Sequence, residues 1–147
     1  MRSTLHALAL FLATASLAPA YAATAAPAGM APFEGKWSYA DQKKFGHFAD
    51  IAVEAGAGAE AAGHWSDGTR VAGSSGDLRG RLDGKKLYVR FCTDEAERGS
   101  TQCPAFDPDE SAYLVRAGDK LVWYRKFGEG KTSEYKKYLE LHRDERR

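Results

Sequence analysis

The sequence predicts an all-β fold, a single small antiparallel up-and-down barrel of about eight strands, with a two-sheet β-sandwich as the alternative. Three observations predict it. Apolar residues recur with period two rather than with the helical period of about 3.6. Glycine-containing turn pairs break the alternation at short intervals. A sheet of this size with one apolar face must close on itself or stack, since a flat open one exposes both core and edges.

Along the chain, residues 1–22 read as a secretory signal: Arg2 supplies the positive start, residues 5–17 the apolar run, and Ala20-Tyr21-Ala22 the small-x-small cleavage site. The run is about half the roughly 20 residues that a membrane-crossing helix needs. The expectation is therefore cleavage near Ala23 and a soluble periplasmic or secreted product, without stable membrane insertion. Residues 23–32 follow as a flexible N-terminal arm, kept extended by Pro27 and Pro32. The barrel domain is expected over 33–147.

Strands are expected over 35–39, 48–53, 61–65, 75–82, 86–92, 112–116, 120–127 and 135–142. Ala49, Ile51 and Val53 alternate with Phe48, Asp50 and Ala52; Leu87, Val89 and Phe91 alternate with Tyr88 and Arg90. Leu121, Trp123 and Phe127 share a face, and Leu139 and Leu141 alternate with Tyr138, Glu140 and His142. Asp83-Gly84 and Gly118-Asp119 mark tight hairpins, with Asp67-Gly68 as a third candidate. Residues 41–47 are read as a connection that can also form a helical turn. The boundaries within 55–63, rich in Ala and Gly, are open.

Charge and cysteines bound the function. Loss of residues 1–22 from a 147-residue chain leaves 125, enough for one domain. With Arg2 gone, 20 basic residues face 20 acidic ones, a balance that argues against a nucleic-acid partner. Cys92 and Cys103 are the only cysteines, and in an oxidising compartment they are expected to form a disulfide. Closing such a loop is typically worth roughly 2–4 kcal/mol.

Candidate binding residues cluster near that pair. Asp94, Glu95, Glu97, Asp107, Asp109 and Glu110 make an acidic loop that can attract a basic partner. The 107–110 run lacks the glycine-centred calcium-loop pattern, so no metal is expected there. On alternation, Tyr88 and Tyr124 face outward with Arg90 and Lys126, forming a ring-and-cation surface. His47 and His64, near Asp50 and Asp67 in sequence, have the residue types of a zinc or acid–base site but no recognisable spacing, and read as boundary histidines. Ser74-Ser75-Gly76 reads as turn chemistry, because no nucleophile elbow surrounds it. No catalytic residue and no cofactor emerge.

Gly35-Lys36-Trp37 resembles the Gly-x-Trp opening of the first strand in lipocalins and other calycin-like barrels. The resemblance implies that Trp37 lies across the closed end of the barrel with a basic residue from the last strand stacked on it, for which Arg143 is the match. Together with the small size and signal, Glu34-Gly35-Lys36-Trp37 resembles most the bacterial periplasmic proteinase inhibitors. That likeness implies inhibition through an N-terminal arm, and the acidic loop between the cysteines is the departure from that family. The expected function is that of an exported binding protein, not an enzyme, inhibiting an extracytoplasmic hydrolase, either a protease or a cell-wall lytic enzyme. The alternative is a small-molecule carrier with a lipocalin-like cavity.

Overall fold

A computed structural model of the protein describes residues 29–42, 46–93, 103, 105–128 and 130–144. Eight strands follow one another: β1 (Gly35–Asp41), β2 (His47–Ala55), β3 (Glu60–Thr69), β4 (Gly73–Asp83), β5 (Lys86–Phe91), β6 (Ala112–Ala117), β7 (Lys120–Phe127) and β8 (Glu134–Arg143). Each pairs antiparallel with its sequence neighbour, and β1 with β8 closes the barrel through Trp37↔Arg143 and Ser38↔His142. A 3₁₀ turn, Gly130–Thr132, precedes β8. The lumen is apolar and the outer face carries the charges, the reverse of what a lipid-facing barrel needs. No described helix is long and apolar enough to cross a membrane.

The hairpins show which local rules governed. Gly84 (φ 59°) and Gly118 (φ 64°) make the two expected tight turns, where a positive φ suits glycine. Asp67-Gly68 does not turn; it lies within β3, and the reversal comes at 70–72, where Thr69 N donates to Ala72 O at 2.7 Å. Gly68 is there for closeness: a Cβ on it would sit 2.6 Å from Gly73 Cα. Ser74-Ser75-Gly76 likewise belongs to β4 and not to a turn. Gly76 faces Trp65 across the pair, leaving room for the indole.

The closed end is built from the N-terminal side. Phe33 N donates to Met30 O at 2.8 Å, and both side chains are buried, Met30 fully. The expected arm is therefore docked from Gly29 onward, because Met30 and Phe33 are apolar enough to be drawn into the lumen. Trp37 Nε1 donates to Phe33 O at 2.8 Å, which holds the indole across this end. The Arg143 guanidinium lies 4.6 Å from the Trp37 ring centroid and Arg116 lies 4.4 Å from it. Cation–π contacts of this kind contribute about 0.5–2 kcal/mol each.

Towards the other end, aromatic rings step across the lumen. Trp65 and Phe91 centroids are 4.8 Å apart, Phe91 and Trp123 5.5 Å, and Trp123 and Tyr138 5.2 Å. Phe127, expected on the same face, lies at the rim and is exposed.

The expected disulfide is not formed. Cys92 and Cys103 stand near one another without a bond between their sulfurs, Cys92 buried and Cys103 partly so. Cys103 Sγ accepts from Asp77 N at 3.3 Å, and the Cys92 carbonyl accepts from Trp65 Nε1 at 3.1 Å. Burial, reinforced by the hydrogen bond with the neighbouring Cys92 thiol, pushes the Cys103 thiol up to about 12. The two sulfurs thus meet as hydrogen-bonded thiols fixed by their own backbone and indole contacts.

Candidate functional site

Polar chemistry inside the barrel is concentrated at the end opposite Trp37. Asp67 on β3 points into the lumen because its register partners, Ala49 on β2 and Ser74 on β4, belong to the lumen-facing set. Its side chain is only 10% exposed and takes three donors. His47 Nε2 lies 2.7 Å from Oδ1. The Tyr138 hydroxyl donates to Oδ2 at 2.7 Å and Arg125 Nη1 donates to the same oxygen at 3.0 Å. Tyr39 packs edge-on against His47, with ring centroids 5.3 Å apart. Five strands contribute: β1, β2, β3, β7 and β8.

Tyr138 reaches this cluster through a break in register. Trp123 pairs with Leu139 but Tyr124 pairs with Lys137, so Tyr138 is the extra residue of a β-bulge and turns inward beside Leu139. Strict alternation would have sent it outward. Burial first, and then the hydrogen bond to the Asp67 carboxylate, push its phenol up to about 12. The adjacent Trp123 Nε1 is buried without a hydrogen-bond partner among the described residues.

The other sequence candidates disperse. His64 stands on the outer face, paired with Asp77 at 2.7 Å, and Asp50 accepts from Ser66 Oγ at 3.2 Å. Neither joins His47. Among the described residues, no three metal-ligating side chains come together. Asp94, Glu95 and Glu97 lie outside the described residues, as do the signal segment and residues 23–28 of the arm. Of the remaining loop acids, Asp107 accepts from Ser111 Oγ at 3.1 Å and Glu110 accepts from Arg81 at 3.2 Å. Asp109 is exposed.

The ring surface is larger than alternation indicated. Tyr88 on β5 pairs in register with Tyr113 on β6, which pairs with Tyr124 on β7, so three phenols stand side by side on the outer wall. Tyr113 and Tyr124 are stacked at 4.6 Å with planes 14° apart. Tyr135 on β8 closes the group, 5.0 Å from Tyr113, and its hydroxyl donates to Glu110 O at 2.9 Å. All four are half-buried. Lys86 Nζ lies 4.7 Å over Tyr113, and the Arg81 guanidinium 5.9 Å from Tyr88. Arg90 follows Tyr88 on β5 and Lys126 follows Tyr124 on β7, each two residues along the same outer wall. Sequence reasoning missed Tyr113 and Tyr135 as surface residues, although Tyr113 interrupts the apolar set of Ala112 and Leu114 on the opposite face.

Comparison with protein families, with characterised proteins and with solved structures finds no match to this chain.

Proposed function

We propose that the protein is an exported binding protein that inhibits an extracytoplasmic hydrolase, gripping it through the outer wall of β5–β8. The observation that carries this reading is the contiguous group Tyr88, Tyr113, Tyr124 and Tyr135 with cations over two of its rings. Tyrosine and arginine are the residue types that dominate the energetics of protein contacts, because rigid amphipathic rings bury large area with few rotamers to freeze. Here the rings already hold one another in place, which reduces the ordering cost on binding. The resemblance to periplasmic proteinase inhibitors supports a hydrolase as partner. Docking of Met30 restricts any inserting arm to residues upstream of Gly29.

Purified protein is expected to lower the activity of a protease or lysozyme at near-stoichiometric ratio in a panel of exported hydrolases. The double variant Tyr113→Ala/Tyr124→Ala is expected to weaken that inhibition about 30-fold or more, the effect of losing a contact centre worth about 2 kcal/mol. Inhibition that survives the double variant, or none across the panel, overturns the reading.

A second reading, carriage of a small molecule, is favoured by the unpartnered Trp123 N–H beside the Asp67 cluster, a buried donor that a bound acceptor would satisfy. Native mass spectrometry of protein from its own host separates the two, since a carrier retains a discrete added mass. The rings of Trp65, Phe91 and Trp123 across the lumen weigh against it.

A further inference from the structure

Arg79 on β4 and Arg90 on β5 are direct register partners, so two guanidinium side chains leave the outer wall opposite one another. Like charges in directly opposed positions destabilise a sheet. Nothing among the described residues relieves the opposition through an ion pair. Of the acids nearby, Asp77 is engaged on His64 at 2.7 Å, Glu110 on Arg81 at 3.2 Å and Asp83 on Arg81 at 3.8 Å, while Glu60 and Asp109 pair with neither Arg79 nor Arg90. Arg79 is instead held over the Phe106 ring, 4.5 Å from its centroid, an arrangement that fixes the guanidinium without cancelling its charge.

The two arginines line a cleft of about 450 Å³ together with Arg81, Tyr88, Pro108, Asp109 and Glu110. That volume is within the range of small-molecule sites, roughly 300–1,000 Å³. Paired guanidinium forks match the charge and oxygen geometry of a phosphoryl group, which they can grip bidentately. Tyr88 offers a ring face to the body of the ligand. Glu60 and Asp109, also lining the cleft, are residue types that can accept hydrogen bonds from hydroxyl groups.

We propose that this cleft is a binding site for a sugar phosphate, with Arg79 and Arg90 on the phosphoryl group, Tyr88 against the ring, and Glu60 and Asp109 on the hydroxyls. The site shares Tyr88 with the tyrosine group, and its ligand binding does not depend on a hydrolase partner. A bound phosphoryl group would offset the repulsion between the opposed guanidinium groups. Sites arranged for a ligand commonly sacrifice stability in the empty protein.

The test is calorimetric titration of the purified protein at low salt with glucose 6-phosphate, inorganic phosphate and glucose. Glucose 6-phosphate is expected to bind saturably and to raise the unfolding midpoint logarithmically with its concentration above Kd. Inorganic phosphate should bind more weakly and glucose not measurably. Arg79→Gln and Arg90→Gln should each weaken glucose 6-phosphate binding tenfold or more and raise the midpoint of the ligand-free protein, because repulsion is relieved. Lys120→Gln, remote from the cleft, should leave the affinity unchanged. Absence of saturable binding, affinity undiminished in the two arginine variants, or inorganic phosphate binding as tightly as glucose 6-phosphate overturns the assignment.

Discussion

At the scale of single residues, Asp67 has the most to lose. Its carboxylate is the common acceptor for His47, Tyr138 and Arg125, and hydrogen bonds to charged groups contribute about 1.5–3 kcal/mol each. Asp67→Asn removes the charge and presents a donor where a donor already points. Urea unfolding is expected to show a loss of about 2 kcal/mol or more. Alkaline pH tests this cluster together with the cysteine pair. The Tyr138 phenol rises from 10.0 to about 12 on folding and the Cys103 thiol from 9.0 to about 12, so the native state holds both protons more tightly than the unfolded chain. Their contribution is whole below pH 9 and lost as pH climbs towards 12. Tyr138→Phe should flatten the part of the decline above pH 10, read as unfolding midpoints at stepped pH. At the acid end, Glu140 is held down to about 2 by Lys137 and Lys120, so its contribution fades as pH falls below 4.5. The sequence displayed His47 and Asp67 as residues of suitable type, but at 20 residues apart their pairing was hidden. Arg125 and Tyr138, 58 and 71 residues from Asp67, are brought to it only by closure of the barrel.

At the scale of elements, period-two alternation and glycine turns were enough to find all eight strands, because half-buried antiparallel strands write their two faces directly into the chain. The failures share a cause. Asp67-Gly68 looked like a turn because local chemistry favours one, whereas the glycine serves a neighbouring strand that is distant in no sequence pattern. Tyr138 looked outward because alternation assumes an unbroken register, and the bulge beside Trp123 breaks it. Gly63 carries the sharpest version of this dependence. A Cβ there would lie 1.9 Å from Ala52 O, backbone that cannot swing aside. Gly63→Ala is expected to pry β3 from β2 and to cost about 3 kcal/mol, measurable by thermal unfolding, with hydrogen exchange fastest in those two strands.

At the scale of the whole molecule, the two ends differ in kind. One is stoppered by Met30, Phe33 and Trp37 beneath two guanidinium groups; the other holds an ionic cluster in a largely apolar lumen. The Gly-x-Trp signal and Arg143 made the first end legible, since both lie at strand positions fixed by local sequence. The second end was illegible for the opposite reason, being assembled from five strands. The cysteine pair shows a similar limit. Spacing and compartment favoured a bridge, but sulfur positions follow from the packing of Cys92 under Trp65 and of Cys103 against Asp77.

Closure of β1 on β8 makes the order of strands a ring, and a ring has no privileged starting point. The residues flanking the seam are already tied, with Asp144 N donating to Lys36 O at 2.9 Å. A short linker from the end of β8 back to the start of the domain, with a new opening at Gly84-Lys85 or Gly118-Asp119, should therefore leave the barrel intact. Circular dichroism and unfolding of such permutants would show the same strand content and a single cooperative transition, whereas collapse of both would mean that the seam forms only when β1 leads.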